Sequence, residues 1–87
     1  FDFTVSPNPS SDVFFINYNL YTEGSVNVKL VDVTGRIIEG TENDIYQEEG
    51  SWSFMINKTD LKIASGIYLV ALTVNGETQT RKIIFAE

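Results

Sequence analysis

The chain of 87 residues has no cysteine and no histidine. Without thiols, neither a disulfide framework nor a Cys-based zinc site can hold so small a domain together. Without imidazole, serine–histidine triads and the common zinc centres are excluded along with thiolate catalysis. Basic residues are also few, six against twelve acidic ones, for a formal charge of −6 and a pI near 4.4. Those six (Lys29, Arg36, Lys58, Lys62, Arg81, Lys82) are scattered and form no stripe, so nucleic acid is not an expected partner. No apolar run approaches the roughly 18 residues of a membrane-crossing helix, and insertion into a bilayer is not expected. The start, Phe1-Asp2-Phe3, lacks the Met, basic segment and apolar stretch of a signal peptide. These ends read as those of an excised piece, one domain over residues 1–87 cut from the C-terminal part of a larger protein.

What is present is alternation. Hydrophobic residues make up 43% of the chain and charged residues 21%, the balance of a folding globular domain. In Val13 to Leu20, Phe14, Ile16, Tyr18 and Leu20 share one face, and Val26, Val28 and Leu30 do so in the next run. Trp52, Phe54 and Ile56 repeat the pattern, and Tyr68, Val70, Leu72 and Val74 form its longest instance. Because the interleaved Ile67, Leu69 and Ala71 are apolar too, this last strand reads as central and covered on both sides. Helix is nearly absent. The expected buried set is Phe14, Ile16, Val28, Leu30, Trp52, Phe54, Tyr68, Val70 and Leu72.

Turn chemistry agrees with the strands. Asn75-Gly76 is a strong hairpin signal, predicting that 66–74 pairs with 77–85. Val33-Thr34-Gly35 predicts a short loop with Gly35 left-handed, followed by a second hairpin through Arg36-Ile37-Ile38. Pro7-Asn8-Pro9 and the polar residues to Asp12 cannot form a ladder and are expected to carry the chain between sheets. The acidic segment Gly40 to Gly50 reads as a loop or weak edge strand. About seven short strands with turns at this spacing specify an all-β fold, an immunoglobulin-like antiparallel β-sandwich.

Chemistry has few places to reside. The carboxylates Glu39, Glu42, Asp44, Glu48 and Glu49 are close in sequence but follow no calcium-loop spacing, so a solvated loop is expected, with no metal, no cofactor and no catalytic residue. Phe15, Tyr21 and Tyr46 are the aromatics placed outward, the only candidates for a sugar-stacking platform; Trp52, Tyr18 and Tyr68 fall on core faces.

Several blocks, in order, resemble one family. Pro7-Asn8-Pro9 followed by Asp12, Phe14 and Ile16; Asp32 before Gly35-Arg36; Leu61 and then Gly66-Ile67-Tyr68; and Lys82-Ile83-Ile84 are together similar to the type A C-terminal sorting domain of the type IX (Por) secretion system of Bacteroidetes. The resemblance runs from about Val5 to Phe85. Trp52, where a smaller apolar residue is expected, and the acidic insert around Glu42 to Glu49 depart from the pattern. The resemblance implies Pro7, Asn8, Pro9, Asp32, Gly35, Arg36, Gly66, Tyr68 and Lys82 as sorting-motif residues. It implies a folded address for export across the outer membrane, with the protein passing through the periplasm to the medium or cell surface. The implied partners are the outer-membrane translocon and its shuttle components, a cell-surface sortase, and an N-terminal cargo domain covalently linked to this one. The domain would be a substrate and not a catalyst. The final hairpin, ending in Lys82-Ile83-Ile84-Phe85, would offer an apolar edge for strand augmentation. A glycan-binding module, or a structural spacer, of a secreted hydrolase is the alternative.

Overall fold

The computed structural model describes residues 1–7, 9–38 and 43–86, with only the backbone of Asn43. The alternating runs become seven strands: β1 (Asp2–Ser6), β2 (Val13–Leu20), β3 (Gly24–Asp32), β4 (Asn43–Gln47), β5 (Gly50–Asn57), β6 (Gly66–Val74) and β7 (Glu77–Phe85). They form two antiparallel sheets, one ordered β1-β2-β5 and the other β4-β3-β6-β7. The architecture is the all-β sandwich expected.

Its core is the sum of the inward-facing alternations. Phe14, Ile16, Tyr18 and Leu20 of β2 meet Val26, Val28 and Leu30 of β3 and Tyr68, Val70, Leu72 and Val74 of β6, all buried, together with Ile56, Ile83 and Phe85. Burying each such side chain contributes about 1.5–3 kcal/mol, and with no disulfide this packing is the main force holding the sheets together.

The hairpin β6–β7 has the expected bounds. Asn75 and Gly76 both take positive φ, 49° and 86°. Asn75 also ties the hairpin to the start of the neighbouring strand β3: its Oδ1 accepts from the Ser25 amide at 3.1 Å and its Nδ2 donates to the Glu23 carbonyl at 3.3 Å. Gly24 permits this approach, since a Cβ there would lie 2.3 Å from the Asn75 side chain.

Five expectations need correction. Trp52 is not core: it sits on edge strand β5 with 37% of its surface exposed, and its indole N–H donates to the Glu48 carbonyl at 2.9 Å. Phe54, on the same strand, is only partly buried against the core. An edge strand has a neighbour on one side only, so residues of inward parity there can stay open to water. Strand β6 is central, but its outward face is bare, with Ile67 and Leu69 exposed. The Pro7–Pro9 segment joins β1 to β2 within one sheet and does not cross between sheets, although Ser10 then bridges to the other sheet at Phe85. The second hairpin is reduced to a turn, with one isolated bridge between Val31 and Ile37. A short helical turn, α1 (Lys58–Leu61), was not legible as such; Asn57 caps it, its side chain accepting from the amides of Thr59 and Asp60 at 2.9 and 3.2 Å.

Candidate recognition site

Strand register brings distant motif residues to one end of the sandwich. Asp32 ends β3 opposite Tyr68, and Tyr68 lies opposite Ile83. Gly66 begins β6 opposite Phe85, and Phe85 bridges to Ser10. Lys82 immediately precedes Ile83 on β7, exposed and opposite Leu69.

The Asp32 turn is built around a single carboxylate oxygen. Oδ1 accepts from the Thr34 amide at 2.9 Å, the Thr34 hydroxyl at 2.6 Å and the Arg36 amide at 3.0 Å. Oδ2 lies 3.4 Å from Arg36 Nε. The Gly35 amide donates to the Asp32 carbonyl at 3.0 Å, and Gly35 takes φ +88° as expected. The Thr34 hydroxyl, foremost, holds the Asp32 carboxyl below its ordinary range; desolvation, next in size, opposes it, and the Arg36 and Thr34 amides and the Arg36 charge add to the lowering. Arg36 projects outward, its side chain 77% exposed.

Tyr68 and Phe85 form the apolar floor. Their rings meet edge-to-face with centroids 5.9 Å apart, and Phe85 packs on Phe14 at 4.8 Å in the same way. The buried Tyr68 hydroxyl donates to the Ala64 carbonyl at 2.7 Å, tying the linker between α1 and β6 to the core. That linker is fastened again by Lys58, whose Nζ donates to Ser65 Oγ at 2.6 Å.

Pro7 and Pro9 are exposed, and the Ser6–Pro7 bond is cis; Asn8 lies outside the described residues. Ser10, which motif reasoning missed, does the joining. Its amide donates to the Ile84 carbonyl at 3.1 Å, its carbonyl accepts from the Ala86 amide at 2.8 Å, and its hydroxyl accepts from the Asp12 and Val13 amides. Phe85 was also missed as a site residue. It shares the inward parity of buried Ile83 and packs on Phe14 and Tyr68, contacts that are not visible until the register is known.

This arrangement can offer shape, backbone edges and charge to a partner; it holds no nucleophile activated by a base. Among the described residues no group of three His, Cys, Asp or Glu could hold a metal. Glu39 and Glu42 lie outside those residues; Asp44 accepts from Asn27 Nδ2 at 3.2 Å, and Glu48 and Glu49 line a shallow depression with Thr22 and Glu23. The outward aromatics do not form one platform. Phe15 and Tyr21 stand at opposite ends of the outer face of the three-stranded sheet, about 20 Å apart at strand rise, and the Tyr21 hydroxyl is tied to the Asp2 carboxylate. Tyr46 lies on the outer face of the other sheet, opposite Ser25.

Comparison with known families decides the matter: the secretion system C-terminal sorting domain matches residues 4–86. The chain belongs to that family. It is a sorting signal for type IX secretion, a class of domain that is not catalytic, that interacts with the secretion machinery and that marks an exported protein, secreted or held at the cell surface. Comparison with curated proteins gave no match.

Proposed function

We propose that the end of the sandwich assembled from the Asp32 turn, the start of β6, the end of β7 and the Pro7–Ser10 strap is the address that the outer-membrane translocon and its shuttle components read. Pro7, Asn8, Pro9, Asp32, Gly35, Arg36, Gly66, Tyr68 and Lys82 act there as a unit. Tyr68 and Gly66 shape the support, and the Asp32–Arg36 turn and Lys82 present the surface. One observation supports the reading: Asp32, Gly66 and Lys82, far apart in sequence, lie at the Tyr68–Phe85 end of the sheet, and Ser10, next to Pro9, bridges to Phe85. Cargo lies N-terminal to residue 1 in the same polypeptide, so this is one domain of a larger protein. It crosses the periplasm folded and performs no catalysis of its own. A cell-surface sortase then removes it, and the cargo is attached or released. β7 is the edge strand of its sheet, and an edge strand is where a partner strand can add.

The test is a fusion to the C-terminus of a fluorescent protein that carries an inner-membrane signal peptide. In a host with the type IX apparatus the reporter is expected at the surface or in the medium; in a host lacking it, in the periplasm. Periplasmic retention in the competent host would contradict the reading and favour the structural spacer.

A further inference from the structure

The outward face of the four-stranded sheet is divided. Toward the acidic end it carries Ser25, Thr73, Thr78 and Thr80, as a solvated antiparallel face should. Toward the recognition end it turns aliphatic. Ile67 pairs with Ile84, and Leu69 pairs with Val31. Ile67, Leu69 and Ile84 are 45%, 37% and 36% exposed, and Ile37, which bridges to Val31, is 43% exposed. A strand whose composition suits burial on both faces is thus covered on one. Contiguous apolar surface of this kind marks an interaction site.

Ile37 also lines a cleft of about 350 Å³ at the mouth of the sandwich, walled by Ile38, Leu61 and Ile63, with Arg36 and Lys62 beside them. Among the described residues that line it there is no carboxylate.

We propose that the aliphatic strip and this cleft form one docking surface, and that its occupant is a second protein presenting aliphatic side chains flanked by carboxylates. The inference rests on the sorting reading and adds to it the surface and the chemistry of the partner. Charge selects the occupant. The far end of the sandwich carries Asp2, Glu23, Glu48, Glu49 and Glu77, in a chain of net charge −6. On the outward strand positions of the four-stranded sheet the one described carboxylate is Asp44, on the polar half and hydrogen-bonded by Asn27. An acidic partner therefore meets the five carboxylates at the far end, whereas here it meets Lys62 and Arg36 beside the cleft, Arg36 already paired with Asp32, and Lys82 opposite Leu69 on the strip. A second copy using the same face would set Arg36 and Lys62 against their own like. Among the described residues at the acidic end of a second copy, Leu20 and Val74 are buried and Ile45 is the one exposed aliphatic side chain, too little to complement the strip. The aliphatic half carries no aromatic side chain of the kind that seats at a lipid headgroup layer.

The test uses the reporter fusion with Ile67→Glu, Lys62→Glu and, as a control on the outer face of the other sheet, Phe15→Glu. Each isolated domain is first checked for an unchanged melting midpoint. Surface reporter is expected to fall roughly tenfold or more for Ile67→Glu and Lys62→Glu, as for interface hot-spot losses, and to stay at the parent level for Phe15→Glu. A photoreactive amino acid at position 37 is expected to cross-link to a protein of the apparatus. Export of both test variants at the parent level, beside an exported parent, overturns the surface and leaves the sorting reading standing. Retention of the parent itself overturns the sorting reading and the surface with it. A cross-link from position 37 solely to a second copy, or binding to phosphatidylglycerol vesicles that Ile67→Glu abolishes, also overturns the proposal.

Discussion

Asp32 shows how one side chain stores a local shape. With Oδ1 accepting three hydrogen bonds, the ionised carboxyl is favoured in the folded state and its pKa lies below the ordinary value. A depressed folded pKa means a stabilising contribution that is complete above the ordinary carboxylate range and is lost as pH falls through the folded pKa. The melting midpoint of Asp32→Asn is therefore expected to lie below the parent's at neutral pH, with the gap closing in acid; a gap independent of pH would show that the charge contributes nothing. Gly35→Val is expected to destabilise by more than about 1 kcal/mol, because a β-branched residue resists positive φ. A Cβ there meets nothing within 4 Å, so any cost read by denaturant unfolding is backbone strain alone. Tyr68→Ala removes a side chain 7% exposed, and its expected cost in the same measurement is about 3–5 kcal/mol; an unchanged midpoint would contradict its place in the core. Gly35 and Tyr68 were legible from turn chemistry and parity. The Asp32 network was not, because an Asx-type turn needs backbone geometry that residue type alone leaves open.

At the scale of elements, parity told the two faces of each strand apart but not how far each face is covered. β6 and β7 emerged with the bounds that Asn75-Gly76 implied. Trp52 and Phe54 had the right parity, yet β5 is an edge strand, and pattern within a strand carries no information about what lies beside it. The bare outer face of β6 escaped for the same reason: apolar residues on both faces suit burial by a neighbouring layer or by a partner, and the described residues supply no such layer. Among the candidate site residues, sequence order identified the blocks, while Ser10 and Phe85, which join them, needed the register to be seen. Lys82 separates function from stability. It is exposed on β7, so Lys82→Ala is expected to change stability by no more than about 0.5 kcal/mol. Surface delivery of the fused reporter is nevertheless expected to fall. Export unchanged at unchanged stability would remove Lys82 from the address.

The whole molecule has two unlike ends. The chain's Asp2, Glu23, Glu48, Glu49 and Glu77 gather at one, and the other mixes Arg36, Lys58 and Lys62 with Asp12, Asp32 and Asp60 around the motif residues. With Cα extents of 37 × 23 × 19 Å, the long axis keeps these regions apart, so a partner can approach the recognition end away from most of the negative charge. In the proposed reading the address is this folded end, assembled from β3, β6, β7 and the Ser10 strap, and not the terminal hairpin as a peptide. A two-stranded hairpin alone is marginally stable at best in water, and residues 66–87 by themselves lack the Asp32 turn, the Phe14 packing and the Ser10 bridge. The decisive measurement compares surface reporter from fusions of residues 1–87 and 66–87 in a type IX-competent host. Delivery by the former and periplasmic retention of the latter are expected; equal delivery by both would contradict a folded address.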